Sequence, residues 1–387
     1  MRLLTYEYRL YPRRQEHAAL ERLLEQGREV YNAALQQCRI VYDVTHQYQP
    51  ALSQWPYFRD WRNAYRDVVL NASSVQHILR RVDKAYAAFY RRLKAKETPG
   101  HPRFKGPDRF NSVEYTYGDG CKLNYEAGYK RWVLHVQRVG ELKVKLHRAL
   151  PATATIKHVV LKRRATGWYV CLMLTLPELE VTPSPLPSVG VDMGLLRLLT
   201  LSDGQTVENP RWLREALADL RVAQRRLARR TKGSTGRRAA RHSLARLHEH
   251  VANVRRDFWH KVSYQLVHTY GLIALEQLAL AFMTRNPHLA LSAHDAGLGA
   301  FQTTLGYKAA NAGSQVVFVN PAYTSQACSR CGLLVEKDLS VRVHCCPHCG
   351  LELDRDLNAA LNILKRALES AGTLPSGANV DTGSCVA

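Results

Sequence analysis

The first hundred residues predict one strand followed by a helical region. Residues 3–11 alternate between apolar and polar side chains, which is the pattern of a half-buried strand, and Pro12 ends it. From about residue 13 to residue 40 apolar side chains recur at helical spacing, and a second helical stretch covers about residues 73–96. We therefore expect a strand and then helices that each bury one face.

The pattern changes to short β-rich segments after residue 111. These segments are residues 122–125, 131–136, 142–146, 155–163 and 168–176. Ala165–Gly167 is typical of a hairpin turn between the last two. Several short strands predict a small antiparallel β-barrel, which the N-terminal strand joins, so that the helices are an insertion. Three prolines between Glu178 and Ser188 then indicate a linker.

The second half of the chain predicts an α/β domain. Apolar strands are expected after Ser188, after Gly271 and at residues 315–320. Residues 211–260 show two helical faces separated by a glycine-containing break, which predicts a helical hairpin. A last helix begins near Asp356, because four leucines follow it at helical spacing.

The charge balance narrows the class of partner. The 387 residues include 55 Lys and Arg against 33 Asp and Glu, a formal net charge of +22. This excess suits a polyanion, with nucleic acid as the first candidate and a membrane surface as the second. The sequence shows no lipidation motif, and no apolar run reaches the ~18–20 residues of a transmembrane helix. We expect a cytoplasmic protein without a signal peptide.

Two stretches concentrate the positive charge. Residues 80–109 contain ten basic and three acidic residues, and residues 211–260 contain fourteen and four. Aromatic residues interleave with the first set, and arginine, whose planar fork suits phosphate, dominates the second. The alternative for both is a solvated face. The candidate nucleic-acid contacts are Gln76, Arg80, Arg81, Arg91, Arg92, Arg103, Lys105, Arg225, Arg226, Arg229 and Arg230.

Four cysteines have the spacing of a metal site. Two Cys-x-x-Cys pairs, Cys328/Cys331 and Cys346/Cys349, are separated by fourteen residues, and a glycine follows each pair. Four thiolates are the ligand set of a closed tetrahedral zinc site, and a disulfide pair is the alternative. Cys345 could compete as a ligand, but only Cys346 forms a two-residue knuckle with Cys349.

Three carboxylates stand beside apolar segments. Asp192 lies within an apolar strand, Glu276 ends another, and Asp356 opens the last helix. A buried carboxylate is costly unless it is paired or binds a metal. The alternatives are a strand-end position for Asp192 or Glu276, and helix capping by Asp354 and Asp356. His294 and Asp295 could assist chemistry or cap a helix.

The motifs together resemble one family. Zinc knuckles followed by Asp356-Leu-Asn-Ala-Ala look like the C-terminal end of TnpB, the transposon-encoded RNA-guided nuclease related to type V CRISPR effectors. The stretch around Asp192, the segment Leu275–Leu278 and the segment Tyr323–Gln326 also resemble TnpB motifs. The resemblance covers nearly the whole chain and is strongest over residues 189–363.

The resemblance implies a fold class and a set of boundaries. The fold would be α/β and multidomain, with an RNase H-like (RuvC) nuclease domain, an inserted zinc ribbon, and a preceding small β-barrel (wedge) domain with a helical recognition insertion. The expected parts are the first wedge strand 1–12, the recognition lobe 13–105, the rest of the wedge barrel 106–180, the linker 181–188, the nuclease domain 189–322 and 353–371, the zinc ribbon 323–352, and a disordered tail 372–387.

The resemblance also implies an activity. Asp192, Glu276 and Asp356 would hold two Mg²⁺ ions for two-metal phosphodiester hydrolysis, and the four cysteines one structural Zn²⁺. The partners would be one guide RNA from the transposon end and a double-stranded DNA target next to a short flanking motif. The protein would act as a monomer, associated with the bacterial nucleoid. The alternatives are a cleavage-inactive RNA-guided repressor and a transposase that acts directly.

Overall fold

The computed structural model describes residues 2–106, 108–178, 182–338 and 341–370. The chain divides into two compact units, Met1–Glu178 and Leu179–Ala387, which are described separately. The predicted tail 372–387 lies outside the described residues. Across the described ranges, no helix has the length and apolarity needed to cross a bilayer.

The first unit is one antiparallel sheet with helices inserted after its first strand. The strands are β1 (Arg2–Tyr11), β2 (Ser112–Thr116), β3 (Cys121–Glu126), β4 (Arg131–Val136), β5 (Gly140–Lys145), β6 (Thr155–Arg164) and β7 (Gly167–Leu176). The helices are α1 (Arg14–Thr45), α2 (Trp55–Ala64) and α3 (Ala72–Lys94). The strand order is β2-β6-β7-β1-β5-β4-β3.

The sheet curls so that its two edges approach. The edge strands β2 and β3 are consecutive in the chain, and the short turn Tyr117–Gly120 joins them. The prediction that the N-terminal strand joins the later strands is confirmed, because β1 pairs with β7 from Arg2 to Leu10 and also with β5. Closure into a complete barrel stays a prediction.

Two elements of this unit, β2 and α2, are not predicted from the hydrophobic pattern of the sequence. Strand β2 has only two buried side chains, Val113 and Tyr115, and this alternation is too short to identify a strand from the sequence. Helix α2 is short and contains no fully buried residue, although Trp55, Phe58 and Trp61 pack against the core. The longer helices follow the pattern, since α1 and α3 bury their apolar faces in the same core as the sheet.

The second unit is a five-stranded mixed sheet with helices on both faces. Its strands are β8 (Ser188–Met193), β9 (Arg197–Leu201), β10 (Thr206–Glu208), β11 (Leu272–Glu276), β12 (Gln315–Val319), β13 (Val343–Cys345) and β14 (Glu352–Asp354). Its helices are α4 (Trp212–Ala228), α5 (Thr235–Thr269), α6 (Leu280–Arg285), α7 (Ala290–Ala296), α8 (Leu298–Ala312) and α9 (Arg355–Ser370). The order of the five strands is β10-β9-β8-β11-β12, and β13 pairs with β14 in a separate ribbon.

The centre of this sheet is parallel and buried. Strand β11 pairs in parallel with β8 on one side and β12 on the other, whereas β9 and β10 are antiparallel. Helices α5 and α8 contribute to the core on one face, and α9 packs on the other. Helices α4 and α5 form the predicted helical hairpin. Burial on both faces explains why β8 and β11 are continuous apolar runs.

Candidate active site and metal centre

Strand register brings two of the candidate carboxylates to one edge of the sheet. The parallel pairing of β8 and β11 aligns Val191 with Leu275. The next residue on β8 is Asp192 and the next on β11 is Glu276, so the two carboxylates lie at the same end of neighbouring strands. Neighbouring strands lie about 4.8 Å apart, which places these two side chains beside each other.

A glycine lets the third carboxylate reach the same edge. Helix α9 packs directly over β8 at Gly190, two residues before Asp192. A Cβ atom at Gly190 would overlap the carbonyl oxygen of Ala360 and lie 2.7 Å from the amide nitrogen of Leu364. The first turn of α9, which contains Asp356, therefore lies close to the end of β8.

The three carboxylates influence one another electrostatically. Burial, together with the negative charges of Glu276 and Asp356, raises the pKa of Asp192 to about 8, while Arg355 acts in the opposite direction. Without a cation, this raised pKa favours the protonated form of Asp192. A divalent cation would replace that proton, since it neutralises the clustered negative charge. The donor set is all oxygen, which suits Mg²⁺.

Glu276 is held by a hydrogen bond. Its side chain is 7% exposed, and its Oε1 accepts a hydrogen bond from the Thr324 hydroxyl. Burial raises the pKa of Glu276, and Thr324 and Arg366 lower it. The backbone oxygen of Thr324 accepts a hydrogen bond of 2.9 Å from Asn362 of α9. This chain of contacts joins Glu276 to the helix that contains Asp356.

The sequence by itself indicates no role for Thr324 or Asn362. Thr324 lies in the segment Tyr323–Gln326 before the first cysteine, and Asn362 lies two residues beyond the motif that begins at Asp356. Only the fold shows that they connect Glu276 to α9. The motif Tyr323–Gln326 is visible in the sequence, but the sequence does not indicate that Thr324 contacts Glu276.

Asp354 and Asp295 act as helix caps in this structure. The Oδ1 atom of Asp354 accepts from the backbone N–H groups of Asp356 and Leu357, at 2.9 and 3.2 Å, and its Oδ2 pairs with Arg197 at 3.0 Å. Asp295 is 1% exposed and accepts from the backbone N–H of Leu213, at 2.8 Å, in the first turn of α4. Both carboxylates are thus occupied by capping contacts.

The four predicted cysteines converge on one point. Their sulfur atoms all lie within 4.8 Å of one another, with 3.6 Å from Cys328 to Cys349 and from Cys331 to Cys346. A disulfide bond would need about 2.05 Å. Metal–sulfur bonds of about 2.3 Å in a tetrahedron place sulfur atoms about 3.8 Å apart. The geometry therefore fits a tetrahedral metal centre, and the four cysteines are not disulfide-bonded in this structure.

The two knuckles form the same turn. The N–H of Gly332 donates to the Cys328 oxygen at 2.8 Å, and the N–H of Gly350 donates to the Cys346 oxygen at 3.0 Å. Both glycines have positive φ, 78° and 69°, as the sequence predicts for a tight turn around a metal. Cys345 is exposed and lies outside the cluster.

The cysteine ribbon is attached to α9. The Asn358 side chain is fully buried, donates to the oxygen of Ala327 at 2.8 Å and accepts from the N–H of Ser329 at 2.9 Å. Strand β14 leaves the second knuckle and runs directly into α9. The ribbon therefore constrains the helix that positions Asp356.

The candidate nucleic-acid residues differ in their availability. Arg225, Arg226, Arg229 and Arg230 are exposed on α4 and the turn after it and line one groove together with Val222. In the first unit, the exposed candidates are Arg80, Arg91, Arg92 and Arg103, while Gln76 and Lys105 are partly buried. Arg81 differs from the prediction. Its guanidinium donates to the Ser112 oxygen and hydroxyl at 2.7 and 3.0 Å and lies over the Phe110 ring, so these contacts hold it inside the unit.

Family profiles match three parts of the chain. A profile described as a helix-turn-helix domain matches residues 1–46, one described as a probable transposase (OrfB type) matches residues 171–287, and one described as a Cas12f1-like TNB domain matches residues 299–363. The first of these regions contains one strand and one long helix, β1 and α1, in this chain.

Solved structures share the fold. One is the "Cryo-EM structure of the Cas12f1-sgRNA-target DNA complex", with a TM-score of 0.57 at 15% identity, covering 90% of this chain and 82% of that one. Another is the "Structure of the mini-RNA-guided endonuclease CRISPR-Cas_phi3", with a TM-score of 0.55 at 9% identity, covering 95% and 92%. At these identities the likeness concerns the fold alone.

Curated relatives align over most of the chain. A protein of Streptomyces pristinaespiralis named "Putative RNA-guided DNA endonuclease" is 32% identical over 383 residues, 95% of this chain and 90% of the relative. The Escherichia coli protein "Putative RNA-guided DNA endonuclease InsQ" is 29% identical over 352 residues, covering 86% and 84%. A mimivirus "TnpB-like protein L79" is 31% identical over 136 residues, covering 33% and 25%. The resemblance seen in the motifs is thereby confirmed, and the chain belongs to the TnpB (OrfB) family.

Proposed function

We propose that this protein is an RNA-guided, metal-dependent endonuclease that cuts double-stranded DNA next to a short flanking motif. The observation that carries the proposal is the meeting of Asp192, Glu276 and Asp356 at one sheet edge, in a chain that aligns with named RNA-guided DNA endonucleases over nearly its full length. A guide RNA from the transposon end and the target DNA are the proposed partners, with one RNA bound to a monomer in the bacterial cytoplasm.

The second unit would supply the catalytic site of an RNase H-like (RuvC) nuclease. Asp192, Glu276 and Asp356 would hold the two Mg²⁺ ions. When bound, the ions would supply an activated water molecule and charge stabilisation for the leaving oxygen of the phosphodiester. Burial and the Thr324 hydrogen bond orient Glu276, while Asp354 caps α9 and so orients Asp356. In the same proposal, the sheet of the first unit would be the wedge domain, and its inserted helices would be the recognition lobe.

The cysteine cluster would hold one structural Zn²⁺. We expect Cys346→Ser to remove about one equivalent of bound zinc, because the four-thiolate site would lose one ligand and with it its closed geometry. DNA cleavage should fall with it, since β14 and Asn358 couple the cluster to α9. Zinc content measured by mass spectrometry gives the result.

Cys345→Ser is the matched control for this substitution. Cys345 is the adjacent residue in the chain and is exposed outside the cluster, so this variant should keep its zinc and its activity. Loss of zinc from Cys345→Ser together with retention by Cys346→Ser would show that Cys345, and not Cys346, is the fourth ligand.

The arginine groove on α4 is the proposed site of phosphate contact. Replacing Arg225, Arg226, Arg229 and Arg230 with glutamine should weaken nucleic-acid binding without sequence preference. Fewer counterions would be released, so the slope of log affinity against log salt should flatten by up to about 3. Binding titrations at several salt concentrations measure this slope.

Lysine at the same four positions is the control, because it keeps the charge and removes only the planar fork. The lysine variant should retain most of the salt dependence. An unchanged slope in the glutamine variant would mean that this face is merely solvated.

The experiment that tests the function changes the guide. The purified protein, loaded with RNA whose 3′ segment matches a DNA target, should cut that target only when the flanking motif is present. A new 3′ segment should redirect the cut, since base pairing, and not the protein, would read the sequence. The same complex with Asp192→Ala is the control for contaminating nucleases. Site-selective cutting by protein without RNA would contradict the proposal.

A further inference from the structure

Three side chains that bind metals in other proteins meet in the first unit, away from both sites described above. His77 comes from α3, Glu114 from β2 and His158 from β6. The Nδ1 atoms of the two histidines each lie 3.5 Å from the same carboxylate oxygen, Oε1 of Glu114. One ligand atom from each of the three residues lies within 4.8 Å of the others.

These distances fit a shared ion better than hydrogen bonds. A hydrogen bond between imidazole and carboxylate is about 2.7–2.9 Å long. Metal bonds of about 2.1 Å at tetrahedral angles place neighbouring ligand atoms about 3.4 Å apart, close to the distances seen here. The Nδ1 atom of His158 is buried and has no hydrogen-bond partner among the described residues. A buried ring nitrogen without a partner is costly, and a metal bond would satisfy it.

The surrounding structure orients the His77 ring and places His158 on the same face of the sheet as Glu114. The Nε2 atom of His77 lies 3.2 Å from the Thr116 hydroxyl, which leaves its Nδ1 facing Glu114. This is the outer contact that metal-binding histidines commonly make. On the sheet, Thr116 is paired with His158, so Glu114 and His158 lie on the same face of adjacent strands.

An irregularity in β6 coincides with His158. The pairing of β6 with β7 shifts register between Ile156 and His158, so one residue of β6 is unpaired. Such a bulge changes the direction of the side chains next to it and is common beside functional sites. It is an observation independent of the distances within the cluster.

The charged groups around the two histidines and Glu114 are compatible with a bound transition-metal ion. Burial lowers the pKa of His77, and His158, Arg80 and Lys84 lower it further, while Glu114 raises it. The neutral ring that results is the form that binds metals. Arg80 and Lys84 also repel a cation, but both side chains are exposed to solvent, which screens them. Two imidazoles and one carboxylate suit Zn²⁺ and similar transition ions better than Mg²⁺ or Ca²⁺.

We propose that His77, Glu114 and His158 form a second binding site for a divalent transition-metal ion such as Zn²⁺, with water as the fourth ligand. The ion would cross-link the inserted helix α3 to the sheet. Helix α3 also contains Gln76 and Arg80, so the ion would fix the helix that presents these candidate contacts. The proposal is independent of the proposed nuclease function.

The test is zinc stoichiometry of the full-length protein. All samples contain Asp192→Ala, so that the acidic site does not contribute. After saturation with zinc and dialysis, the parent should hold about two equivalents, one of them in the cysteine cluster. His158→Gln and, separately, Glu114→Gln should each hold about one. His158 is partly exposed, and circular dichroism with gel filtration verifies that each variant is folded.

His135→Gln is the matched control. His135 lies on β4 of the same sheet and contacts a single carboxylate, Glu141, at 2.6 Å on the surface. This variant should keep about two equivalents. Only about one equivalent in the parent protein, or two in both His158→Gln and Glu114→Gln, would overturn the proposal.

X-ray absorption at the zinc edge provides a measurement that needs no substitution in the cluster. A protein with both sites filled should show a mixed shell of sulfur and nitrogen or oxygen neighbours. A shell of four sulfur atoms alone would show that zinc occupies only the cysteine cluster, and would overturn the proposal.

Discussion

Alanine in place of Asp192, Glu276 or Asp356 should reduce DNA cleavage at least about 10³-fold, while guide RNA and target DNA remain bound. The reason is a separation of tasks within the protein. The three carboxylates meet at one sheet edge, where they would hold the catalytic ions, whereas exposed arginines such as Arg225 would hold phosphate. Cleavage of a labelled duplex and a gel-shift measurement on the same preparations separate the two effects.

Glu208→Ala is the control for these variants. Glu208 belongs to the same sheet, on β10, but its side chain is 74% exposed, and its contact with Arg197, at 3.6 Å, is an exposed ion pair that contributes little. Its removal should leave cleavage unchanged. Asp354→Asn should have a smaller effect than Asp356→Ala, because Asp354 caps α9 and positions the neighbouring residue. Full cleavage by Asp356→Ala together with inactive Asp354→Asn would transfer the third metal-binding role to Asp354.

Gly190→Ala should also remove most of the cleavage activity, by about 10²-fold or more, although Gly190 bears no chemical group. A methyl group at this position would collide with backbone atoms of α9, at Ala360 and Leu364. Backbone cannot rotate away as a side chain can, so the helix must shift, and Asp356 with it. A displacement of about 1 Å at a catalytic group is enough for a loss of this size.

Gly306→Ala is the matched control, because Gly306 lies within α8 and a Cβ atom there would meet nothing within 4 Å. That variant should cleave normally, and alanine should even favour the helix. Zinc content of Gly190→Ala should stay close to that of the parent protein if the ribbon remains folded. Normal cleavage by a folded Gly190→Ala protein would contradict the close packing of α9 on β8.

The local features of this protein could be read from its sequence. The cysteine pairs, the strands that carry Asp192 and Glu276, the last helix and the basic helical hairpin all depend on spacing within a short window. Hydrophobic periodicity and ligand spacing are properties of such windows, so they can be identified without knowledge of the fold. The same windows contained the motifs that resemble TnpB, and the relatives confirm that resemblance.

Contacts between distant segments were decided by the tertiary structure. The hydrogen bond from Thr324 to Glu276 and the caps formed by Asp354 and Asp295 each pick one partner among many polar residues. Sequence alone left Asp354 and Asp295 open between chemistry and capping, because the choice depends on which backbone N–H groups arrive beside them.

The same reason explains what the sequence did not indicate at all. His77, Glu114 and His158 belong to a helix and two strands whose spacing has no motif, and only the pairing of β2 with β6 and the packing of α3 bring them together. Arg81 looked like its exposed neighbours until the fold placed Ser112 within reach of its guanidinium. Composition and periodicity determine which elements form, whereas the partner of each polar side chain depends on packing between elements far apart in the chain.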